Sequence, residues 1–185
     1  MAHSVCPWWM GYLLASPLRR IFLDPAKLAA AFAGPGMTVV EPGPGMGFFT
    51  LPLARAIGPS GRIIAVDIQP KMLEALRRRA ARAGLAERID TMLAQPHSLG
   101  LSALAGTADL VWAFAVVHEM PDAQRFFPEA ADVLKPGGRL LLAEPQGHVK
   151  PQEFNAELAL ASQAGMTLAS RPAIRRSQAA LLEKR

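Results

Sequence analysis

The sequence predicts an α/β fold in which a mostly parallel sheet is wound on both faces by helices. Two patterns support this class. From residue 37 onward, short apolar runs of strand length alternate with longer segments rich in Ala, Leu and Arg, which is how repeated strand–helix–strand units appear in sequence. A glycine-rich turn also separates the first of these runs from the helix that follows it.

The predicted strands are short, and glycine or proline turns separate most of them from their neighbours. They are residues 38–41, 62–67, 89–93, 109–114, 139–144, 166–170 and 179–183. The predicted helices are residues 48–57, 70–83, 122–134 and 151–164. The last two strands follow one another without a helix between them, which predicts an antiparallel edge strand on a seven-stranded sheet.

Length and composition favour one globular domain over residues 1–185, with residues 1–30 as an N-terminal helical arm or cap. Apolar residues make up 51% and charged residues 19% of the 185-residue chain, so it can bury a sizeable core. The apolar run at residues 5–15 is shorter than the roughly 20 residues of a spanning helix, so we predict no membrane span. The single cysteine, Cys6, fits a reducing compartment and predicts a cytoplasmic protein.

The formal net charge of +5 raises the question of nucleic acid binding. The basic residues are scattered in small clusters, at residues 77–82 and 171–176, and no aromatic residues for base stacking are interleaved with them. This distribution disfavours a nucleic acid partner and is typical of solvated faces.

A glycine-rich turn, EPGPGMG, spans residues 41–47 where the first strand gives way to a helix. Glycines at Gly43, Gly45 and Gly47 let a backbone approach a ligand closely, because a Cβ atom would collide or forbid the required dihedral angles. Unpaired amides at the start of the next helix can hold a carboxylate or a phosphate. The turn alone is a weak signal for a ligand site.

Asp67 strengthens the signal, since it ends the second strand about twenty residues past the last glycine, where a carboxylate can accept both ribose hydroxyls. Dinucleotide-binding loops have two residues before their third glycine, whereas Met46 alone separates Gly45 from Gly47. Glu41 beside the loop would repel a diphosphate and tolerates a cationic ammonium or sulfonium. The spacing therefore favours a nucleoside without a pyrophosphate.

With these features the chain resembles the class I S-adenosylmethionine-dependent methyltransferases, in particular the compact ubiquinone/menaquinone-type and "type 11" group. The resemblance runs from residue 37 to the end of the sequence. It rests on the glycine turn, on Val66 and Asp67, on ADLV at residues 108–111 and on LKPGGRL at residues 134–140. It implies a Rossmann-like sheet, S-adenosylmethionine as cofactor and S-adenosylhomocysteine as product.

The resemblance also implies roles for individual residues. Glu41 and the three glycines would face the methionine part of the cofactor, and Asp67 its ribose. Ile68 and Met72 would contact the adenine. Ala113 and Phe114, at the end of the fourth strand, would line the methionine and methyl side.

Two departures from the family pattern stand out. Pro42 and Pro44 stiffen a loop that is usually rich in small or branched residues. Gln95 replaces the acidic residue often found after the third strand, although its amide oxygen can still accept from an adenine amino group. Which of Gln95, His97 and Ser98 contacts the adenine is left open.

The acceptor side is less specific, because methyl transfer from a sulfonium is an in-line displacement that needs no obligatory triad. His118 and Glu119 after the fourth strand and His148 after the fifth are candidate catalytic groups. No ligand-pair spacing such as C-x-x-C or H-x-x-x-H occurs, so we expect no metal.

We expect methyl transfer to a small-molecule acceptor. The alternatives are an RNA-modifying methyltransferase and a non-catalytic S-adenosylmethionine-binding protein. The sequence does not determine the acceptor or the oligomeric state.

Overall fold

The computed structural model describes residues 23–95 and 97–185. Most of the predicted N-terminal arm, residues 1–30, and the whole apolar run at residues 5–15 therefore lie outside the described residues. Over the part of the chain that is described, no helix combines the length and the apolar character needed to cross a membrane.

The described chain divides into two compact units, residues 23–94 and residues 95–185. Seven strands are assigned to one mixed sheet, mostly parallel, which confirms the predicted fold class. The predicted single-domain organisation stays a prediction.

The first unit contains three parallel strands, with β2 (Arg62–Asp67) between β1 (Thr38–Pro42) and β3 (Ile89–Leu93). Strand β2 is buried from Ile63 to Asp67, as expected for a central parallel strand. The unit's first helix begins at a side-chain cap, because Asp24 accepts hydrogen bonds from the backbone amides of Ala26 and Lys27 at 3.0 and 3.1 Å. The bounds are α1 Pro25–Phe32, β1 Thr38–Pro42, α2 Thr50–Ala56, β2 Arg62–Asp67, α3 Pro70–Arg82 and β3 Ile89–Leu93.

Helix α3 packs one apolar face on β2 and β3. It begins at Pro70, whose fixed φ suits a first helical position, and the chain leaves the helix at Gly84, where φ is +67°. The buried face carries Met72, Leu73, Ala75, Leu76 and Ala80, at the three- and four-residue spacing of an amphipathic helix. The arginines of this helix, which include Arg77, Arg78 and Arg82, lie away from that face.

The second unit contains two parallel strands, β4 (Ala108–Phe114) and β5 (Leu134–Pro145). It also contains two strands that pair antiparallel with one another, β6 (Met166–Ser170) and β7 (Ser177–Lys184). Strand β7 runs antiparallel to both β5 and β6 and lies between them, so β6 is the edge strand. The antiparallel element predicted at this end of the sheet is thus one position in from the edge. The bounds are β4 Ala108–Phe114, α4 Ala123–Val133, β5 Leu134–Pro145, α5 Pro151–Gln163, β6 Met166–Ser170 and β7 Ser177–Lys184.

Strand β5, Leu134–Pro145, begins well before its predicted start at Arg139. Ala108 pairs with Leu134, the register then shifts, and Leu110 pairs with Arg139. The KPGG segment, predicted as a free turn between helix and strand, is therefore an irregular stretch enclosed by paired residues. Turn residues alone do not reveal this, because pairing on both sides depends on the neighbouring strand.

Candidate functional site

The glycine turn is held in a conformation that only glycine adopts easily. Gly43, Gly45 and Gly47 have φ of +64°, +53° and +86°. A Cβ atom built on Gly47 would lie 2.6 Å from Leu76 Cδ1, whereas one on Gly45 would meet nothing within 4 Å. Gly47 is thus required for packing against α3, and Gly45 presents backbone to open space.

Glu41, the first residue of the EPGPGMG segment, is buried inside the first unit with 3% of its surface exposed. Among the described residues its Oε2 atom has no hydrogen-bond partner. Burial raises the pKa of Glu41 to about 8; the nearby Thr50 side chain lowers it by less, and the charge of Asp67 raises it further. The Thr50 hydroxyl is close enough to act on this pKa, yet within the described chain its Oγ1 also lacks a hydrogen-bond partner.

Asp67 ends β2 next to the turn, and 8% of its surface is exposed. Its Oδ1 accepts a hydrogen bond from the Gln69 amide at 2.9 Å, which fixes the carboxylate at the start of α3. Ile68 beside it is one of the large apolar side chains that face solvent, at 39% exposure. Met72, by contrast, is buried against Met46 and Ala75.

The other predicted cofactor residues lie in the second unit. Gln95 and Ser98 exchange backbone hydrogen bonds of 3.0 and 3.2 Å, and Gln95 and His97 are exposed at this turn. Ala113 is fully buried and Phe114 half-buried. Because side chains alternate along a strand, these two point to opposite faces of the sheet, so only one of them can line a given pocket with its side chain.

A second polar group surrounds Glu144 at the end of β5. This carboxylate has 0% of its side chain exposed, and both of its oxygens are engaged. Oε1 accepts from the Val117 backbone amide at 2.9 Å, and Oε2 is hydrogen-bonded to His118 Nδ1. The turn after β4, Val117–Glu119, is thereby tied to the end of β5.

Two further side chains lie near the His118 ring, and a third acts on it through its charge. Glu119 Oε1 lies 4.0 Å from its Nε2 atom, and the exposed ring of His148 lies 5.6 Å away between centroids. Glu157, on α5, contributes a charge that acts on His118. These contacts bring His118, Glu119 and His148, the three predicted catalytic residues, into one cluster. Among the described residues no three His, Cys, Asp or Glu side chains are arranged to hold a metal ion.

The cluster perturbs two ionisable groups. Burial lowers the pKa of His118, but the hydrogen bond with Glu144 and the surrounding carboxylates outweigh burial, so this pKa is raised above its ordinary value. Burial, with the charge of Glu144 as the next cause, raises the pKa of Glu157 to about 8. Only 8% of Glu157 is exposed, and its Oε2 atom has no hydrogen-bond partner within the described chain.

Sequence reasoning missed Glu157 and did not pair Glu144 with His118. A signal for Glu157 exists, because the buried residues of α5 are Phe154, Glu157 and Ala161, at helical spacing. A glutamate on the core-facing stripe of an amphipathic helix is unusual, since carboxylates are rarely buried without a partner.

Comparison with known proteins identifies the family. A family model described as a methyltransferase domain matches residues 40–142, more than half of the chain. The chain belongs to the methyltransferase-domain family. This membership confirms the predicted methyltransferase class.

Relatives of this methyltransferase-domain chain are longer proteins. It is 34% identical over 118 residues to an arsenite methyltransferase of Halobacterium salinarum, covering 64% of this chain and 29% of the relative. It is 31% identical over 109 residues to a ubiquinone/menaquinone biosynthesis C-methyltransferase of Pasteurella multocida, covering 59% and 40%. The chain therefore spans less than half the length of each.

A solved structure agrees with the methyltransferase fold over nearly the whole chain. The crystal structure of a SAM-dependent methyltransferase from Aquifex aeolicus superposes with a TM-score of 0.82 at 22% identity, covering 97% of this chain and 98% of that one.

The family match ends at residue 142, so Glu144, His148 and Glu157 lie beyond it.

Proposed function

We propose that this chain transfers a methyl group from S-adenosylmethionine to a small-molecule acceptor. The observation that carries the proposal is Glu41, a buried carboxyl group with an oxygen that lacks a partner within the described chain, beside a turn whose glycines have positive φ. A buried carboxyl group without a partner is costly unless a ligand supplies one.

The chemistry of the cofactor suits these residues. S-adenosylmethionine carries an ammonium and a sulfonium, and a cation near Glu41 would favour the ionised carboxylate whose pKa burial has raised to about 8. Asp67 would accept the ribose hydroxyls, and the exposed side chain of Ile68 offers an apolar surface for the adenine. The backbone at Gly45 faces open space, which allows close approach of the methionine part.

The remaining predicted contacts follow the same assignment. Gly43 and Gly47 would shape the turn, Met72 would support the adenine contact from its buried position, and Phe114 or the backbone at Ala113 would line the methyl side. One of Gln95, His97 and Ser98 would contact the adenine edge.

The catalytic assignment rests on the second polar group. When bound, S-adenosylmethionine supplies an activated methyl group, so the protein has to orient the acceptor and manage its proton. His118 is the group we propose for the proton, with Glu119 and His148 beside it to contact the acceptor.

A small acceptor is consistent with the relatives, whose names refer to arsenite and to ubiquinone or menaquinone biosynthesis. The cytoplasmic location, predicted from the single cysteine, is part of the same proposal.

Replacing Asp67 by Ala is expected to weaken S-adenosylmethionine binding by about 1–3 kcal/mol, because hydrogen bonds to a charged acceptor are lost. Isothermal titration measures the change. Asp90→Ala is the matched control: Asp90 is an exposed carboxylate on β3 that pairs with Arg62, so its loss should leave cofactor affinity as it is. Equal affinities for the wild type and the Asp67 variant would refute the ribose assignment.

A further inference from the structure

We propose that Glu144 and Glu157 are positioning residues that make His118 a base for an acceptor carrying a proton on the atom to be methylated, a thiol, a hydroxyl or an ammonium group. This inference rests on the proposed methyl transfer, since it concerns the acceptor half of the same reaction. Neither glutamate falls within the residues matched by the family model.

The contacts of Glu144 define the geometry. One oxygen accepts from the Val117 amide at 2.9 Å and the other is hydrogen-bonded to His118 Nδ1, so a single carboxylate fixes both the backbone and the ring of this turn. The parallel register explains the meeting, because Phe114 at the end of β4 pairs with Ala143, and Glu144 is the next residue of β5. A fully buried carboxylate with both oxygens engaged is a rigid reference point for the ring.

This arrangement selects one tautomer of the neutral imidazole. A carboxylate accepts hydrogen bonds, so the ring nitrogen bonded to Glu144 carries the proton. The lone pair of the neutral ring then resides on Nε2, the nitrogen on the side of Glu119.

Glu157 adds a buried carboxyl group from a different element. Only 8% of the residue is exposed, and its Oε2 atom is buried on the core-facing side of α5 without a hydrogen-bond partner within the described chain. The charge of Glu157 raises the pKa of His118, and the charges of Glu144 and Glu153 raise the pKa of Glu157. We assign Glu157 a supporting role, exerted when it is ionised, in which its negative charge strengthens His118 as a base. Because burial raises the pKa of Glu157 to about 8, this contribution grows as the pH rises towards 8.

Four titratable groups of the described residues act on His118 or lie beside its ring. They are Glu119 in its own turn, Glu144 from β5, Glu157 from α5 and His148 from the loop after β5. All three carboxylates raise the pKa of His118, against the effect of burial. A more basic imidazole takes a proton from a weak acid more readily, but only above its own pKa, where the ring is neutral.

The proton balance is simple. The proton on the acceptor atom moves to Nε2 of His118, and the electron pair left on that atom forms the bond to the methyl carbon. The pair of the broken carbon–sulfur bond stays on sulfur, giving S-adenosylhomocysteine. An acceptor without such a proton would gain nothing from this base.

Nitrogen-15 NMR of the histidine rings in the full chain tests the positioning role without any acceptor. We expect His118 of the wild type to hold its proton on Nδ1 and to titrate above the usual value. Glu144→Gln should lower the pKa of His118 by a unit or more and populate both tautomers, and Glu157→Gln should lower it by a smaller amount. Glu183→Gln, at an exposed position on β7, is the control and should change neither.

An unchanged His118 titration in Glu144→Gln, or in Glu157→Gln if the first variant does not fold, would overturn the positioning role. S-adenosylhomocysteine titrations should give the same affinity for these variants as for the wild type. If the wild-type protein does not bind S-adenosylhomocysteine, the proposed function is refuted. Failure of the positioning role and failure of the proposed function are therefore distinguishable.

The acceptor class is tested with matched probes: phenylmethanethiol, phenol and benzylamine against benzyl methyl sulfide, anisole and the benzyltrimethylammonium ion. S-adenosylhomocysteine should form with a proton-bearing member only, and its rate should rise with pH through the pKa of His118. Glu144→Gln should reduce that rate at least tenfold and move the rise to lower pH. Product formation with a fully methylated probe, or with none of the proton-bearing ones, would contradict the assignment.

Discussion

Replacing Glu41 by Gln is expected to weaken S-adenosylmethionine binding by about 1.5–3 kcal/mol, the range for a hydrogen bond to a charged group. The glutamine is nearly isosteric and keeps an acceptor oxygen, so the loss reports the carboxylate charge. Isothermal titration of both proteins at pH 8 measures it.

The same substitution is expected to stabilise the protein without cofactor. The pKa of Glu41 is raised to about 8 in the folded chain, so between pH 4.5 and pH 8 the folded state holds a proton that the unfolded state has lost. The free energy of unfolding therefore falls as pH rises through this window. The Gln variant lacks this decline and should be roughly 2–4 kcal/mol more stable than the wild type at pH 8, with little difference at pH 4.5.

Glu74→Gln is the matched control, since Glu74 is an exposed carboxylate on α3 in the same unit. It should alter neither cofactor affinity nor the pH dependence of thermal unfolding. A Glu41→Gln protein that binds the cofactor normally, or that is no more stable than the wild type at pH 8, would show that Glu41 is a structural residue already satisfied in the chain.

Gly47→Ala is expected to destabilise the fold by about 3 kcal/mol, because a non-glycine residue at φ +86° is strained and its Cβ would lie 2.6 Å from Leu76 Cδ1. For a chain of this size that corresponds to a fall in melting temperature of roughly 6–12 °C. Thermal unfolding without cofactor measures it.

Gly45→Ala separates packing from ligand approach. Its φ of +53° lies in the left-handed helical region and the added Cβ meets nothing within 4 Å, so about 1 kcal/mol of stability should be lost. Cofactor binding should nevertheless weaken, because the methyl group occupies the space that the cofactor would enter. Equal losses of stability in the two alanine variants would contradict the packing account of Gly47.

Much of the fold could be predicted because its signals are local. The bounds of β2 and β3 match the prediction, since the turn Pro59–Gly61 and the stop at Gly84 mark where the neighbouring elements end. The start of β5 at Leu134 could not be predicted, because it depends on pairing with Ala108 across the sheet.

Part of the candidate site could likewise be predicted from the sequence, and part could not. The glycine turn and Asp67 follow a spacing that is readable in the sequence, because one strand–turn–helix unit and the next strand position them. The pairing of His118 with Glu144 joins residues 26 positions apart and requires the register of β4 on β5. Glu157 was missed because helical periodicity was judged from apolar residues, which conceals a carboxylate at a core position.

We propose that the carboxylates at the ends of β1 and β2 hold S-adenosylmethionine. Calorimetric titration of the purified chain at pH 7, in two buffers of different ionisation enthalpy, tests it most directly. We expect saturable one-site binding with release of close to one proton, because a cation beside Glu41 lowers the pKa of a group that is protonated at this pH. Absence of saturable heat, or binding with no proton released and no dependence on Glu41 and Asp67, would contradict it.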